Sequence, residues 1–171
     1  MKRIVLALVV MIACACGASA QKFALVDMEY ILKNIPSYEM ANEQLNQLSQ
    51  RWQKEVEAKF KEAETLYKNY QADMVFLTDD QKKKKEEEIT AKEKEAVDLR
   101  NKYFGQDGEL SKKRQSLLKP IQDDVYNAVK KVSEEKGYQV IFDRASSASI
   151  VFASPRIDVS NEVLAKLGYS K

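Results

Sequence analysis

The chain has 171 residues, with 28 Lys and Arg against 26 Asp and Glu, no histidine and two cysteines. That length fits one domain. With both cysteines (Cys14 and Cys16) near the N-terminus, everything beyond them lacks disulfides, cysteine or histidine metal sites and thiol or imidazole catalysis.

Met1-Lys2-Arg3 is followed by an apolar run from Ile4 to Ile12 and by small residues ending Ala18-Ser19-Ala20. The run is shorter than the ~20 residues that span a bilayer. It reads as a secretory signal peptide over residues 1–20, cleaved after Ala20, so that the mature chain starts at Gln21. The competing reading is a lipoprotein signal with Cys14 or Cys16 lipidated; the residues before either cysteine fit that pattern poorly. Without Lys2 and Arg3 the charges balance at 26 each, so any electrostatic role must come from local patterning.

Residues 22–28, KFALVDM, are apolar with β-favouring types and read as a strand buried on both faces. Glu29 to Asn34 suits a short helical turn that stops before Pro36. From Ser37 to Lys136, Glu, Lys, Gln and Ala dominate, which favours helix. The apolar residues Tyr38, Ala41, Leu45, Leu48, Trp52, Val56, Phe60, Ala63, Tyr67, Tyr70, Met74 and Leu77 recur at steps of three and four. This is a heptad seam with a stutter near Trp52 to Phe60. A second seam runs Ile89, Ala96, Tyr103, Leu110, Leu117, Ile121, Val125, Ala128, Val132.

Between the seams, Thr78 and Gln81 fit a capping box with Asp79 and Asp80 in the first turn. One helix should therefore end near Leu77 and a second start at Asp79, as antiparallel neighbours. Folding there pairs Trp52 with Tyr103, Leu45 with Leu110 and Tyr38 with Leu117, in a hairpin about 60 Å long. Gly105 and Gly108 should each cost about 1 kcal/mol inside a helix and Pro120 about 3 kcal/mol. Yet Tyr103, Leu110 and Leu117 keep a seven-residue step across them. The expectation is a continuous second helix, weakened at 105–108 and kinked near Pro120, against the alternative of a new helix from Glu109. Gly105, Gly108 and Pro120 are thus the hinge candidates.

Gly137 suits a helix C′ position. Tyr138 to Phe142 and Ile150 to Ala153 read as strands separated by a polar turn at Ser146 to Ser149. Asp158 or Ser160 would cap a last helix, Asn161 to Leu167, ended by Gly168. The fold class is α+β: a small β-rich body from residues 21–36 and 119–171, and a helical hairpin from 37–118. So small a core calls for oligomerisation, with strands of several chains closing into a barrel.

The order of elements, with ALVDMEYIL at 24–32, YQVIFD at 138–143 and DVSNEVLAKL at 158–167, resembles the Skp/OmpH family of periplasmic chaperones over essentially the whole mature chain. The resemblance implies a homotrimer whose strands form a central β-barrel while three hairpin tentacles enclose a cavity. Unfolded outer-membrane β-barrel proteins are held there, without ATP, on their way to outer-membrane assembly. Ala24, Val26, Val140, Phe142, Ile150 and Phe152 would then belong to the barrel and trimer contacts. The best-known members have strongly basic tentacles. Residues 37–118 here carry 16 basic against 17 acidic side chains, which puts a general electrostatic grip on clients in doubt, and no lipopolysaccharide site can be placed residue by residue.

No P-loop, G-x-G-x-x-G, histidine base or thiol is present in the mature chain. The pairs Asp79-Asp80 and Asp123-Asp124 fall on helix surfaces. No enzyme activity, cofactor or metal is expected, and nucleic acid is not an expected partner. The aromatic residues Trp52, Phe60, Tyr67, Tyr70 and Tyr103 read first as coiled-coil core. Met74, Val75 and Phe76 fall at the hairpin tip, where they either pack on one another or meet unfolded chains. Lys82, Lys83, Lys84 and Lys85 precede Glu86 to Glu88, the less favourable order for i,i+4 pairs, and oppose the helix dipole. They are solvated surface or a contact for an anionic membrane surface or acidic client segments. The leading expectation is a periplasmic holdase; the alternative is a structural coiled-coil adaptor that binds one folded envelope partner.

Overall fold

A computed structural model describes residues 22–147 and 149–169. The expected signal peptide lies outside the described residues. The chain divides into two compact units: Pro36–Asp123, and the described residues up to Ile35 together with those from Asp124 onward.

In the second of these units, β1 (Phe23–Val26) pairs in parallel with β2 (Val140–Asp143), Phe23 opposite Val140 and Val26 opposite Asp143. Gln139 N–H to the Lys22 carbonyl and Arg144 N–H to the Val26 carbonyl, both 2.8 Å, extend the ladder at its two ends. On the other edge of β1, Asp158 forms a parallel bridge with Leu25, whose carbonyl accepts the Val159 N–H at 2.9 Å. The apolar run of β1 matches burial on both faces: the consecutive Ala24, Leu25 and Val26, whose side chains alternate between the faces, are all buried.

The helix α1 (Met28–Lys33) starts where the Asp27 carboxylate accepts the Tyr30 N–H at 2.8 Å. Ile31 on its inner side is fully buried, as are Val125 and Val132 of the long helix α4 (Glu109–Lys136) and Val163 of the last helix, α5 (Ser160–Lys166). Gly137 and Gly168 take φ of +72° and +84°, the left-handed region that ends a helix. The closing bonds are Tyr138 N–H to Ser133 O and Tyr169 N–H to Leu164 O. The cap of α5 is Val159, not the expected Asp158 or Ser160, and it makes no side-chain cap bond; Asp158, one residue earlier, braces the entry, its Oδ1 accepting the Ser160 N–H at 2.9 Å and the Ser160 hydroxyl at 2.6 Å.

One expected strand is not formed. Residues 150–153 carry no ladder, and Val151 and Phe152 are 98% and 86% exposed. Apolar, β-branched composition favours a strand only where an edge is free to accept it. Both edges of β1 are taken, by β2 and by Asp158, and residues 150–153 do not pair with the one edge left open, the outer edge of β2.

In the other unit, α2 (Pro36–Asp73) is followed by one 3₁₀ turn, Met74–Phe76, and then by α3 (Asp79–Phe104). Pro36 occupies the first helical position, where its missing N–H costs nothing. The capping box is present: the Gln81 N–H reaches the Thr78 hydroxyl at 3.4 Å, and the Thr78 N–H reaches the Gln81 side chain at 2.9 Å. The arms run antiparallel. Trp52 stacks on Tyr103 with ring centroids 4.7 Å apart, Lys59 pairs with Glu95 at 3.2 Å, and the Tyr70 hydroxyl donates to Glu86 at 2.5 Å. Nearer the chain ends of the hairpin, Ala41, Leu45 and Leu118 form a buried cluster with Tyr38, Leu110, Leu117 and Ile121 packed against it.

The expected continuous second helix is corrected by a break. Helix α3 ends at Phe104 and α4 (Glu109–Lys136) begins anew, then runs through Pro120. The Gly105 N–H closes α3 on the Asn101 carbonyl at 2.8 Å, and the Gly108 carbonyl opens α4 by accepting the Lys112 N–H at 3.1 Å. The backbone is too tight for side chains here. A Cβ on Gly105 would stand 2.4 Å from the Asn101 carbonyl oxygen, and one on Gly108 2.8 Å from that of Tyr103. The preserved seven-residue step across the glycines therefore did not require continuous helix.

Candidate functional site

Exposed apolar surface, not a polar cleft, distinguishes this chain. Among the described residues no cluster of acidic or thiol side chains could hold a metal, and no helix is long and apolar enough to cross a membrane.

The first such surface is the turn joining α2 to α3. The α2 helix must end at Asp73 for the chain to reverse, and the short 3₁₀ turn leaves three apolar side chains with little to pack on. Val75 is 83% and Phe76 85% exposed, while Met74 is 46% exposed. Mutual packing across the turn, one of the two sequence expectations, does not bury them.

The lysines lie in the first two turns of α3. The expected i,i+4 pairs give way to others: Lys82 points back to Asp79 at 3.8 Å and Lys85 meets Glu88 at 3.4 Å. Glu86 is held instead by the Tyr70 hydroxyl, whose pKa is raised chiefly by that bond. Lys83 and Lys84 are exposed. From Asp73 to Glu88 there are four lysines against six carboxylates, so the tip has no net positive field.

A second surface continues along α2. The seam resolves into two rows: Val56, Ala63 and Tyr70 are buried, whereas Phe60, Tyr67 and Met74 remain partly exposed. The reason is visible in α3, where Ile89, Ala96 and Tyr103 make one apolar row but Lys85 and Lys92 stand where a second would run. One row can cover only one row. Ion pairs reinforce the filled side. Bonds to Glu95 and Glu62 raise the pKa of Lys59, and bonds from Lys92 and Lys59 lower that of Glu95. The Tyr103 hydroxyl donates to Glu55 at 2.7 Å, which raises its own pKa.

The third surface belongs to the β unit. Phe23, Val140 and Phe142 are about half exposed. Phe23, Phe142, Ile150, Val151 and Phe152 help line an open apolar cavity of about 640 Å³. Of the residues expected at trimer contacts, Ala24 and Val26 are buried within the unit, Ile150 is half-buried, and Val140, Phe142 and Phe152 face outward.

A polar clasp missed in the sequence sits beside this surface. Arg144 bridges Asp27 at 3.1 Å and Asp158 at 3.3 Å. The Asp27 N–H donates to the Ser160 hydroxyl at 2.8 Å, and the Met28 N–H to Asp143 at 3.1 Å. Burial works against the Asp143 charge, but hydrogen bonds from Ser146 and the Met28, Ala145 and Ser146 N–H groups outweigh it and lower its pKa. Arg144, Asp158 and Ser160, with Tyr30 and Asn161, line a pocket of about 340 Å³. Its only guanidinium is already paired with two carboxylates, so it offers no anion site. The contacts of Asp27 with Arg144 and Ser160, and of Met28 with Asp143, join residues more than a hundred positions apart, and nothing local in the sequence marks them.

A family described as outer membrane protein (OmpH-like) matches residues 22–167. Among solved structures, a crystal structure from Caulobacter crescentus CB15, described as a candidate outer membrane chaperone (OmpH-like), superposes with a TM-score of 0.66 at 14% identity. The match covers 88% of this chain and 86% of that one. At that identity the likeness is one of fold. No curated protein matches the chain.

Proposed function

The chain belongs to the OmpH-like outer membrane protein family, and we propose that it works as an ATP-independent periplasmic chaperone, a holdase that encloses unfolded outer-membrane β-barrel proteins between helical hairpins. The observation that carries this reading is the apolar surface of the hairpin unit, a partly exposed stripe ending in the exposed Val75 and Phe76. Many weak, non-directional contacts of this kind keep an unfolded chain from aggregating without fixing its structure.

In this reading residues 1–20 are removed on export. Residues 21–36 and 119–171 form the assembly body, and 37–118 form the tentacle. A homotrimer is supported by the apolar surface of the β unit, where the outer edge of β2 and residues 150–153 lack strand partners among the described residues. Strand addition between copies would satisfy both and cover Phe142 and Phe152. Gly105 to Gly108 is the proposed hinge, because two helices joined by four non-helical residues can change their angle without breaking either one.

The test is mass measurement by light scattering, alone and with a urea-unfolded β-barrel protein. A trimer that keeps the client in a soluble complex is expected. A monomer that leaves the client to aggregate refutes the proposal. One saturable complex with a folded partner and no suppression of aggregation would favour the adaptor instead. An anionic membrane surface is the second proposed partner of the tip, through Lys83 and Lys84. Replacing Lys82 to Lys85 with glutamine should lower binding to anionic vesicles at low salt, and unchanged binding removes the lysines from that role.

A further inference from the structure

Phe60, Tyr67 and Met74 follow one another at seven-residue steps and are 36%, 47% and 46% exposed. Phe60 and Tyr67 on α2, extended by Met74 in the 3₁₀ turn that follows it, form the open half of a coiled-coil seam whose other half, Val56, Ala63 and Tyr70, is filled by α3. Such a stripe repeats every ~10.5 Å along a helix, whereas side chains on one face of an extended chain repeat every ~6.8 Å. The matching period belongs to another heptad helix, packed knobs into holes. The stripe therefore matches its own copy: placed against itself, Tyr67 meets Tyr67 whether the helices run parallel or antiparallel about that residue.

Charge does not oppose this pairing. Glu64, next to the stripe, is neutralised by Lys68 at 2.5 Å, which lowers its pKa. Gln71 donates to the Tyr67 hydroxyl at 3.0 Å. Size limits its strength. Two aromatic rings of ~150–250 Å² and one methionine, all less than half exposed, give roughly 500 Å² over two copies, below the ~1,000 Å² of a stable interface. The contact needs copies already tethered, where effective concentrations reach the millimolar range.

We infer that the Phe60–Tyr67–Met74 stripe packs reversibly against the same stripe of a second copy in the client-free state, and that an unfolded client displaces it. This rests on the proposed oligomeric holdase. The stripe is then hidden until needed, and the client competes with a weak contact instead of a filled core.

The test uses the full chain with Cys14 and Cys16 replaced by serine. Tyr67→Cys should form an interchain disulfide under mild oxidation, whereas Thr65→Cys, an exposed position on the far side of α2, should not. Adding a urea-unfolded β-barrel protein should abolish most of the Tyr67→Cys crosslink. Crosslinking no greater than in Thr65→Cys, or crosslinking that the client leaves unchanged, overturns the inference. So does protection by anionic vesicles but not by client. If the reduced variants remain oligomeric and still hold client, that failure leaves the holdase reading intact; a monomeric wild type that cannot hold client fails the holdase reading itself.

Discussion

Asp143 shows how one residue ties distant parts of the β unit together. Its carboxylate accepts the Met28 N–H at 3.1 Å and the Ala145 N–H at 3.0 Å, joining the end of β2 to the first turn of α1. Because these bonds favour the charged form, its folded pKa lies below the unfolded value. The stabilisation is therefore complete above the unfolded pKa of about 4 and is lost as pH falls through the folded pKa. Asp143→Asn keeps an acceptor oxygen but not the charge, so it should cost about 1 kcal/mol near neutral pH. The two proteins should converge in acid, where the wild type is protonated too. Urea titrations across the acid range check this, and a gap that persists below the folded pKa would mean the asparagine disturbs packing and not charge. Of the residues in this cluster, the sequence marked only Asp158 and Ser160, as alternative caps for the last helix, whose cap is in fact Val159. Met28 and Asp27, the partners of Asp143 and Arg144 near the other end of the chain, lie beyond the reach of local pattern.

At the scale of elements, the hairpin was readable where physics is local or periodic. Thr78 and Gln81 announced the start of α3 because a cap acts over three residues. The seam steps paired Trp52 with Tyr103 because antiparallel register follows from the turn. Two features escaped. The seam of α2 was read as uniformly core, although α3 supplies one apolar row where α2 has two. The glycines were read as tolerated in a helix because the heptad phase survives them, but phase constrains where Leu110 lands and not the path to it. Gly105→Ala tests that path. Its Cβ would collide with the Asn101 carbonyl oxygen at 2.4 Å, so the break must shift, at a cost of about 1–3 kcal/mol. Gly108→Ala should cost a similar amount. The double variant should cost less than the sum, since two alanines favour helix by about 1 kcal/mol each and a continuous helix would keep the seven-residue step. Unfolding free energies together with helix content by circular dichroism measure this coupling. Strict additivity with unchanged helicity would show that the continuous helix is inaccessible.

At the scale of the whole molecule, the two units place different demands on the same chain. The hairpin satisfies its backbone internally and leaves side chains exposed for use. The β unit leaves both backbone and apolar side chains unsatisfied, with Val151 98% and Phe152 86% exposed. Under the proposed trimer, this surface is where copies would meet. Phe142→Asp and Phe152→Asp separate this from a role inside the chain. Phe152 is exposed and Phe142 about half exposed at the rim of an open cavity, so a charge at either can reach water and far-UV circular dichroism should be unchanged. Between copies, the same charge would be buried without a partner, at a cost of several kcal/mol per site, repeated at every interface of a symmetric assembly. The double variant should therefore be monomeric by light scattering. It should also lose suppression of client aggregation, although its own hairpin surface is untouched, because enclosure needs several hairpins. A variant that stays oligomeric would move the interface elsewhere. One that becomes monomeric yet holds clients as well as the wild type would show that a single hairpin suffices, and enclosure would have to be abandoned for simple surface adsorption.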